Sequence, residues 1–230
     1  SKELEKLGSN ISVSSGTDGI TFQVSSLKKN LDATLVLLED RMLNPKFTED
    51  AFSRIKRQSL ESFKQTKSQP AAIASSVFDK LNYGKDNILG ISQRGTEETV
   101  KTFTLQDVEN YYANNISSQG TNVVVVGDLT EGEIVPKLSF LNKLPNKKVE
   151  IPAVKATSNV EKTKIYFVDV KGAAQTEFRV GDITNLKYDA TGEYYKAFLT
   201  NFPLGGAFNS RINLNLREDK GWTYGARSGF

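Results

Sequence analysis

Leu27, Leu31, Leu35, Leu38 and Met42 recur at helical spacing up to Asn44-Pro45, which predicts one amphipathic helix and its stop. Ahead of this run, Ile11 and Val13, then Ile20, Phe22 and Val24, alternate with polar residues around Asp18-Gly19. Period-two alternation flanking an Asp-Gly pair predicts an antiparallel hairpin. The opening residues, KELEKLG, read as the tail of a helix closed by Gly8. A second helix is predicted over about 49–67, where Thr48 is the cap and Phe47 and Phe52 occupy the positions of a hydrophobic staple. Glu49 and Asp50 suit its positive end, Lys64 and Lys67 its negative end. Pro70 opens a third helix through AAIASSVFDKLNYG. Thr104 with Asp107 marks a capping box for LQDVENYYANN, and Thr130 with Glu133 caps a short helix ending near Leu141. Between these two, NVVVVGDL reads as a buried strand.

The stretch LNKLPNKKVEIPAVKATSNVEK has two prolines, several lysines and no helical period, and it predicts a linker at 146–160. It separates a first subdomain, 1–145, from a second, 161–230. In the second, KIYFVDV and TEFRVGD read as strands and YDATGEYYKAFLTNF as a helix. LGGAFNSRINLNLRE follows as a Gly-Gly turn with another helix, and WTYGARSGF as a last strand. The predicted class is α+β, two related subdomains, each with helices packed on one face of a mainly antiparallel sheet. Both ends are expected to be truncated, because the chain opens on a helix tail and stops at Phe230 inside a strand pattern.

Composition narrows the chemistry. With 38% apolar and 25% charged residues, both signs interspersed and a net charge of +3, the chain has the profile of a soluble globular protein. It has no basic run that would track phosphates, so no nucleic-acid partner is expected. The longest aliphatic run, Val123 to Val126, is far short of a bilayer span, so no membrane partner is expected either. There is no cysteine and no histidine, which excludes a disulfide framework, a thiolate nucleophile, a Ser-His-Asp triad and any His- or Cys-ligated zinc within these residues. The compartment stays open. Gly205-Gly206 lacks the lysine of a phosphate loop and predicts a tight turn between closely packed elements.

The segment LGGAFNSRINLNLREDKGWTYGARS resembles the block LGG, SR, LRE, Gly, Tyr of the non-catalytic halves in the pitrilysin/insulinase family of inverzincin metallopeptidases. LGSNISVSSGTDGITFQVSS, LLEDRMLNPKFTEDAFSRIKRQ and VVVVGDLT resemble further stretches of that family, in its order. The resemblance implies one of two homologous halves, each a pair of α+β subdomains, that enclose a peptide between them. The family's HxxEH motif would lie before Ser1, and its third zinc ligand, a glutamate, would fall at about Ser62. Helical phase turns the neighbouring Glu61 away from the face carrying Phe52, Ile55, Ser59 and Phe63. The expected metal and cofactor content of this fragment is therefore none, with zinc in the partner half.

The resemblance further implies that Arg217 and Tyr224 hydrogen-bond the substrate near the scissile bond, where donors stabilise the charge developing on the carbonyl oxygen. Read from the residues alone, Arg217 is an ion-pair partner of Glu218 or Asp219, and Tyr224 a packed strand residue beside Trp222; the LGG…SR…LRE context is what favours the substrate-binding roles. The function implied is the zinc-free, substrate-binding half of a zinc metalloendopeptidase, partnered by a zinc-bearing half in the same or another chain and by a peptide. The alternatives are a structural or assembly subunit of the same family, and a peptide-binding module that uses a sheet edge.

Overall fold

A computed structural model describes residues 2–16, 19–150, 154, 156, 161–184 and 186–230. The chain divides into two compact units, Ser1–Lys155 with Lys164–Val180, and Ala156–Thr163 with Gly181–Phe230. Most of the linker expected at 146–160 lies outside the described residues, as does Asp18 of the expected hairpin turn.

In the first unit a short helix, α1 (Lys2–Lys6), leads into strands β1 (Asn10–Ser15) and β2 (Ile20–Ser25). The strands pair antiparallel with Ile11 opposite Val24 and Val13 opposite Phe22, so strand alternation puts these four apolar residues on one face. That face meets α2 (Leu31–Leu43). Leu35, Leu38 and Met42 of α2 are buried with Leu4, Ile11, Ile134, Phe140 and Leu144 in one cluster. Each such side chain removed from water contributes about 1.5–3 kcal/mol.

Thr34, fully buried in this layer, is satisfied by Ser9 Oγ at 2.8 Å, Ser26 Oγ at 3.0 Å and the carbonyl of Asn30 at 2.8 Å. A buried hydroxyl without such partners would be costly.

Caps set the remaining boundaries. α3 (Glu49–Thr66) starts where Thr48 Oγ1 accepts from the Ala51 amide, and α4 (Pro70–Tyr83) starts on its proline. α5 (Glu97–Thr102), a helix the sequence pattern did not predict, is opened by reciprocal hydrogen bonds between Thr96 and Thr99. The boxes predicted for α6 (Leu105–Asn115) and α7 (Glu131–Lys137) are both formed, by Thr104 with Asp107 and Thr130 with Glu133. Lys137 pairs with Asp32, and Lys143 with Glu39 at 2.6 Å, tying the end of α7 and the stretch after it to α2.

The chain is α+β, but its strand content is smaller than the pattern predicts. Among the described residues the sheet is β1 and β2 alone. NVVVVGDL, KIYFVDV, TEFRVGD and WTYGARSGF carry no strand, and the second unit consists of helices and irregular segments. Val126 is 93% exposed, Ile165 93% and Val180 96%. A strand exists only when paired with another strand, and among the described residues these runs are paired with none. No helix is long and apolar enough to cross a membrane.

Candidate functional site

The second unit is built on α8 (Glu193–Asn201), which widens into a π turn over Phe202–Gly206. Pro203, having no N–H, cannot continue the α ladder. Ahead of α8, Asp189 accepts from the Thr191 amide at 3.0 Å. Its bonds to the Thr191 and Gly192 amides hold its carboxyl below the usual range.

Gly205 then passes against the C-terminal segment. A Cβ there would stand 2.0 Å from Ser228 Oγ and 2.8 Å from its backbone nitrogen, so only glycine fits the approach. The expected tight Gly-Gly turn is this contact. The Ser228 amide donates to the Gly205 carbonyl at 3.0 Å.

The helix bearing Arg217 begins as α9 (Arg211–Asn213) and continues as a π turn over Leu214–Asp219. It ends at Gly221, whose φ of 66° reverses the chain. The Trp222 amide donates to the Leu216 carbonyl at 2.9 Å and the Gly221 amide to the Arg217 carbonyl at 3.2 Å. This is a Schellman-like ending, each bond one residue wider than usual, as the π turn requires.

Arg217 Nη1 lies 3.3 Å from Glu218 Oε1, with its side chain 34% exposed. Its guanidinium also lies over the Phe208 ring, with Cζ 4.6 Å from the centroid, a cation–π contact. The ion-pair reading of Arg217 is thus realised, with part of the group still facing solvent.

Tyr224 is 87% exposed, and its hydroxyl makes no hydrogen bond among the described residues. The alternation expected of WTYGA is replaced by a local turn. Thr223 Oγ1 donates to the Gly225 carbonyl at 2.9 Å and accepts from the Gly225 amide at 3.1 Å, satisfying locally the groups a strand would pair with a neighbour. Trp222 is exposed as well, with Lys220 Nζ 5.8 Å from its ring. No hydrogen bond, ion pair or ring contact joins Arg217 to Tyr224 among the described residues.

Three polar residues that carried no functional reading in the sequence hold this segment: Asn201, Asn213 and Ser228. Asn201 Nδ2 donates to the Ser228 carbonyl at 2.8 Å, and Ser228 Oγ donates to Asn201 Oδ1 at 2.5 Å. Asn213 Nδ2 donates to the Phe208 carbonyl at 2.6 Å, while its Oδ1 accepts from the Ala226 amide at 2.9 Å. The available signal was the interruption of the apolar run INLNL by amides at 213 and 215.

The first unit has no zinc-binding arrangement at the position the resemblance singles out. Ser62 Oγ accepts from Arg94 Nη2 at 2.9 Å, and a guanidinium there repels a second cation. Glu61 is exposed and paired with Lys64 at 2.8 Å. Among the described residues no group of three His, Cys, Asp or Glu is placed to hold a metal. A shallow groove of about 560 Å³, walled in part by Val13, Phe22, Phe47, Val108 and Tyr111, also lies in this unit and contains none of the site residues. Tyr112 beside it donates to the Met42 carbonyl at 2.8 Å, and burial pushes its phenol pKa up.

The fold and site define a class: an α+β domain whose described residues form no metal centre. The chain belongs to the insulinase family, peptidase family M16. Residues 1–87 match that family's model, and residues 102–230 match the model of the peptidase M16 inactive domain. Among curated proteins it is 26% identical over 222 residues to the non-peptidase homolog YmxG of Helicobacter pylori, covering 96% of this chain and 50% of the relative. It is 21% identical over 229 residues to the uncharacterized zinc protease YmxG of Bacillus subtilis, covering 99% and 54%. The chain therefore spans about half the length of these relatives. Among solved structures it is similar to a peptidase M16 inactive domain from Pseudomonas fluorescens, with TM-score 0.78, 22% identity, and coverage of 100% of this chain and 55% of that one. It also resembles a protease from Helicobacter pylori, with TM-score 0.67, 18% identity, and coverage of 99% and 55%. These likenesses establish the fold. Among the described residues no zinc site is formed.

Proposed function

We propose that this chain is the substrate-binding, zinc-free half of a two-half metalloendopeptidase, offering Arg217 and Tyr224 as donors to the backbone of a bound peptide. The observation that carries this reading is the state of Tyr224, whose phenol is exposed and makes no hydrogen bond within the described chain, free to donate to a ligand. Arg217 supports it, because its side chain, set over the Phe208 ring and beside Glu218, keeps 34% of its surface exposed. A phenol and a guanidinium aimed at one carbonyl oxygen stabilise the charge that develops as the peptide bond is attacked. The attacking machinery belongs to the partner half, since residues 61, 62 and 94 do not fit a metal.

A second reading, a non-catalytic assembly subunit, is favoured by the non-peptidase description of the Helicobacter pylori relative. Kinetics of the full-length protein with its partner half separate the two. Arg217→Ala or Tyr224→Phe is expected to lower kcat by about tenfold to a thousandfold, with a smaller change in KM, because such donors act mainly in the transition state. Full kcat in a folded variant, or no peptide hydrolysis by any pairing of halves, would favour the assembly role instead.

A further inference from the structure

Asn213 is 4% exposed, and both ends of its amide are bonded, each to backbone on a different side. Its Nδ2 holds the Phe208 carbonyl at 2.6 Å, and Phe208 is the ring on which Arg217 stacks. Its Oδ1 holds the Ala226 amide at 2.9 Å, two residues beyond Tyr224. Asn213 also precedes Arg217 by four positions in the same helical stretch.

Between Gly221 and Ala226 the backbone is otherwise anchored, among the described residues, by the Gly221 amide on Arg217 and the Trp222 amide on Leu216, since the Thr223 bonds are internal to the segment. An apolar residue at 213 could fill the space, but it would leave the part-buried Phe208 carbonyl and Ala226 amide without the partner that Asn213 gives them, which costs stability.

We propose that Asn213 is a positioning residue that sets Arg217 and Tyr224 in a fixed relation, holding the arginine through Phe208 and the tyrosine through Ala226. The Asn201–Ser228 pair is a second anchor for the end of the same segment. The proposal rests on the substrate-binding reading of Arg217 and Tyr224.

The 230-residue chain has a single tryptophan, Trp222, two residues from Tyr224. Its fluorescence anisotropy therefore reports the segment directly, independently of any activity. Asn213→Leu removes both bonds. Asn213→Asp keeps the acceptor for the Ala226 amide and loses the donor to Phe208. Far-UV circular dichroism checks that each variant is folded, and binding of fluorescein-labelled casein, an unfolded polypeptide, reads the site.

Asn213→Leu with native helix content is expected to lower Trp222 anisotropy and to weaken casein binding by about tenfold or more. Asn213→Asp should hold the anisotropy near the parent value while losing part of the affinity. A folded Asn213→Leu chain with unchanged anisotropy overturns the inference. If that variant does not fold, an Asn213→Asp chain with both parent anisotropy and parent affinity overturns it. If the anisotropy falls while the parent chain does not bind casein, the positioning role stands and the substrate-binding reading falls.

Discussion

Glu97 shows how a single carboxylate can join two elements. It accepts from Lys101 of α5 at 2.8 Å and from Lys67, just past α3, at 2.6 Å. These hydrogen bonds, Lys101 first, bring its carboxyl down to about 2 from an ordinary 4.5. A depressed carboxylate pKa means stability that is complete above the unfolded value and lost as pH falls toward the folded one. Urea midpoints of the parent chain and Glu97→Gln should thus differ at neutral pH, approach each other below pH 4.5 and coincide near 2. Raising the salt concentration should shrink the gap, since the lysine partners are exposed. A gap unchanged from pH 7 to 2 would show that the pairing is not ionic. The catalytic proposal also lives at this scale, in two side chains whose types were legible in the LGG…SR…LRE block. Their surroundings were not, because the Phe208 stack and the Thr223 turn depend on how the chain folds back.

At the scale of elements, the helices follow local signals closely. α3 begins at the residue after Thr48, and α6 spans the predicted LQDVENYYANN, because an N-cap and an apolar face are complete within one segment. The π turns at 202–206 and 214–219 were not foreseen; they arise where Pro203 and the Gly221 ending meet the C-terminal segment. The closest approach there is at Gly205. Gly205→Ala should cost about 1–3 kcal/mol or more in urea denaturation, because its Cβ would overlap the Ser228 backbone, which cannot move aside as a side-chain tip can. Gly206→Ala is the matched control. Its Cβ would stand 3.3 Å from Asn201 Nδ2, so the loss should be smaller. Equal losses would mean that the Gly205–Ser228 contact is not what the glycine serves.

For the molecule as a whole, the notable surface is the set of apolar runs without strand partners. Val124, Val126, Ile165, Phe167, Phe178 and Val180 are all exposed and all belong to the first unit. Unpaired β-prone segments are templates for pairing with another chain. The isolated 230-residue chain is expected to bind anilinonaphthalene sulfonate while folded and to self-associate at micromolar concentration, as read by sedimentation velocity. Replacing Ile165 and Val180 together by Lys should suppress both signals with little change in helix content. A chain that is monomeric and silent toward the dye would show that these runs are covered in solution.

The sequence by itself determined the helices other than α5 and the π turns, the caps of α3, α6 and α7, the hairpin with its apolar face, and the absence of any His- or Cys-based metal site. All of these are decided by side chains a few positions apart or by residue type alone. Tertiary structure decided the rest. KIYFVDV and TEFRVGD have every local mark of strands, yet a strand forms only against another strand, and among the described residues these runs pair with none. The same reason governs the site. Arg217 and Tyr224 could be picked out by their block, but what holds them, Asn213 between Phe208 and Ala226 and Asn201 on Ser228, is a set of part-buried bonds spanning up to 27 residues along the chain. Only the folded backbone brings those groups within reach.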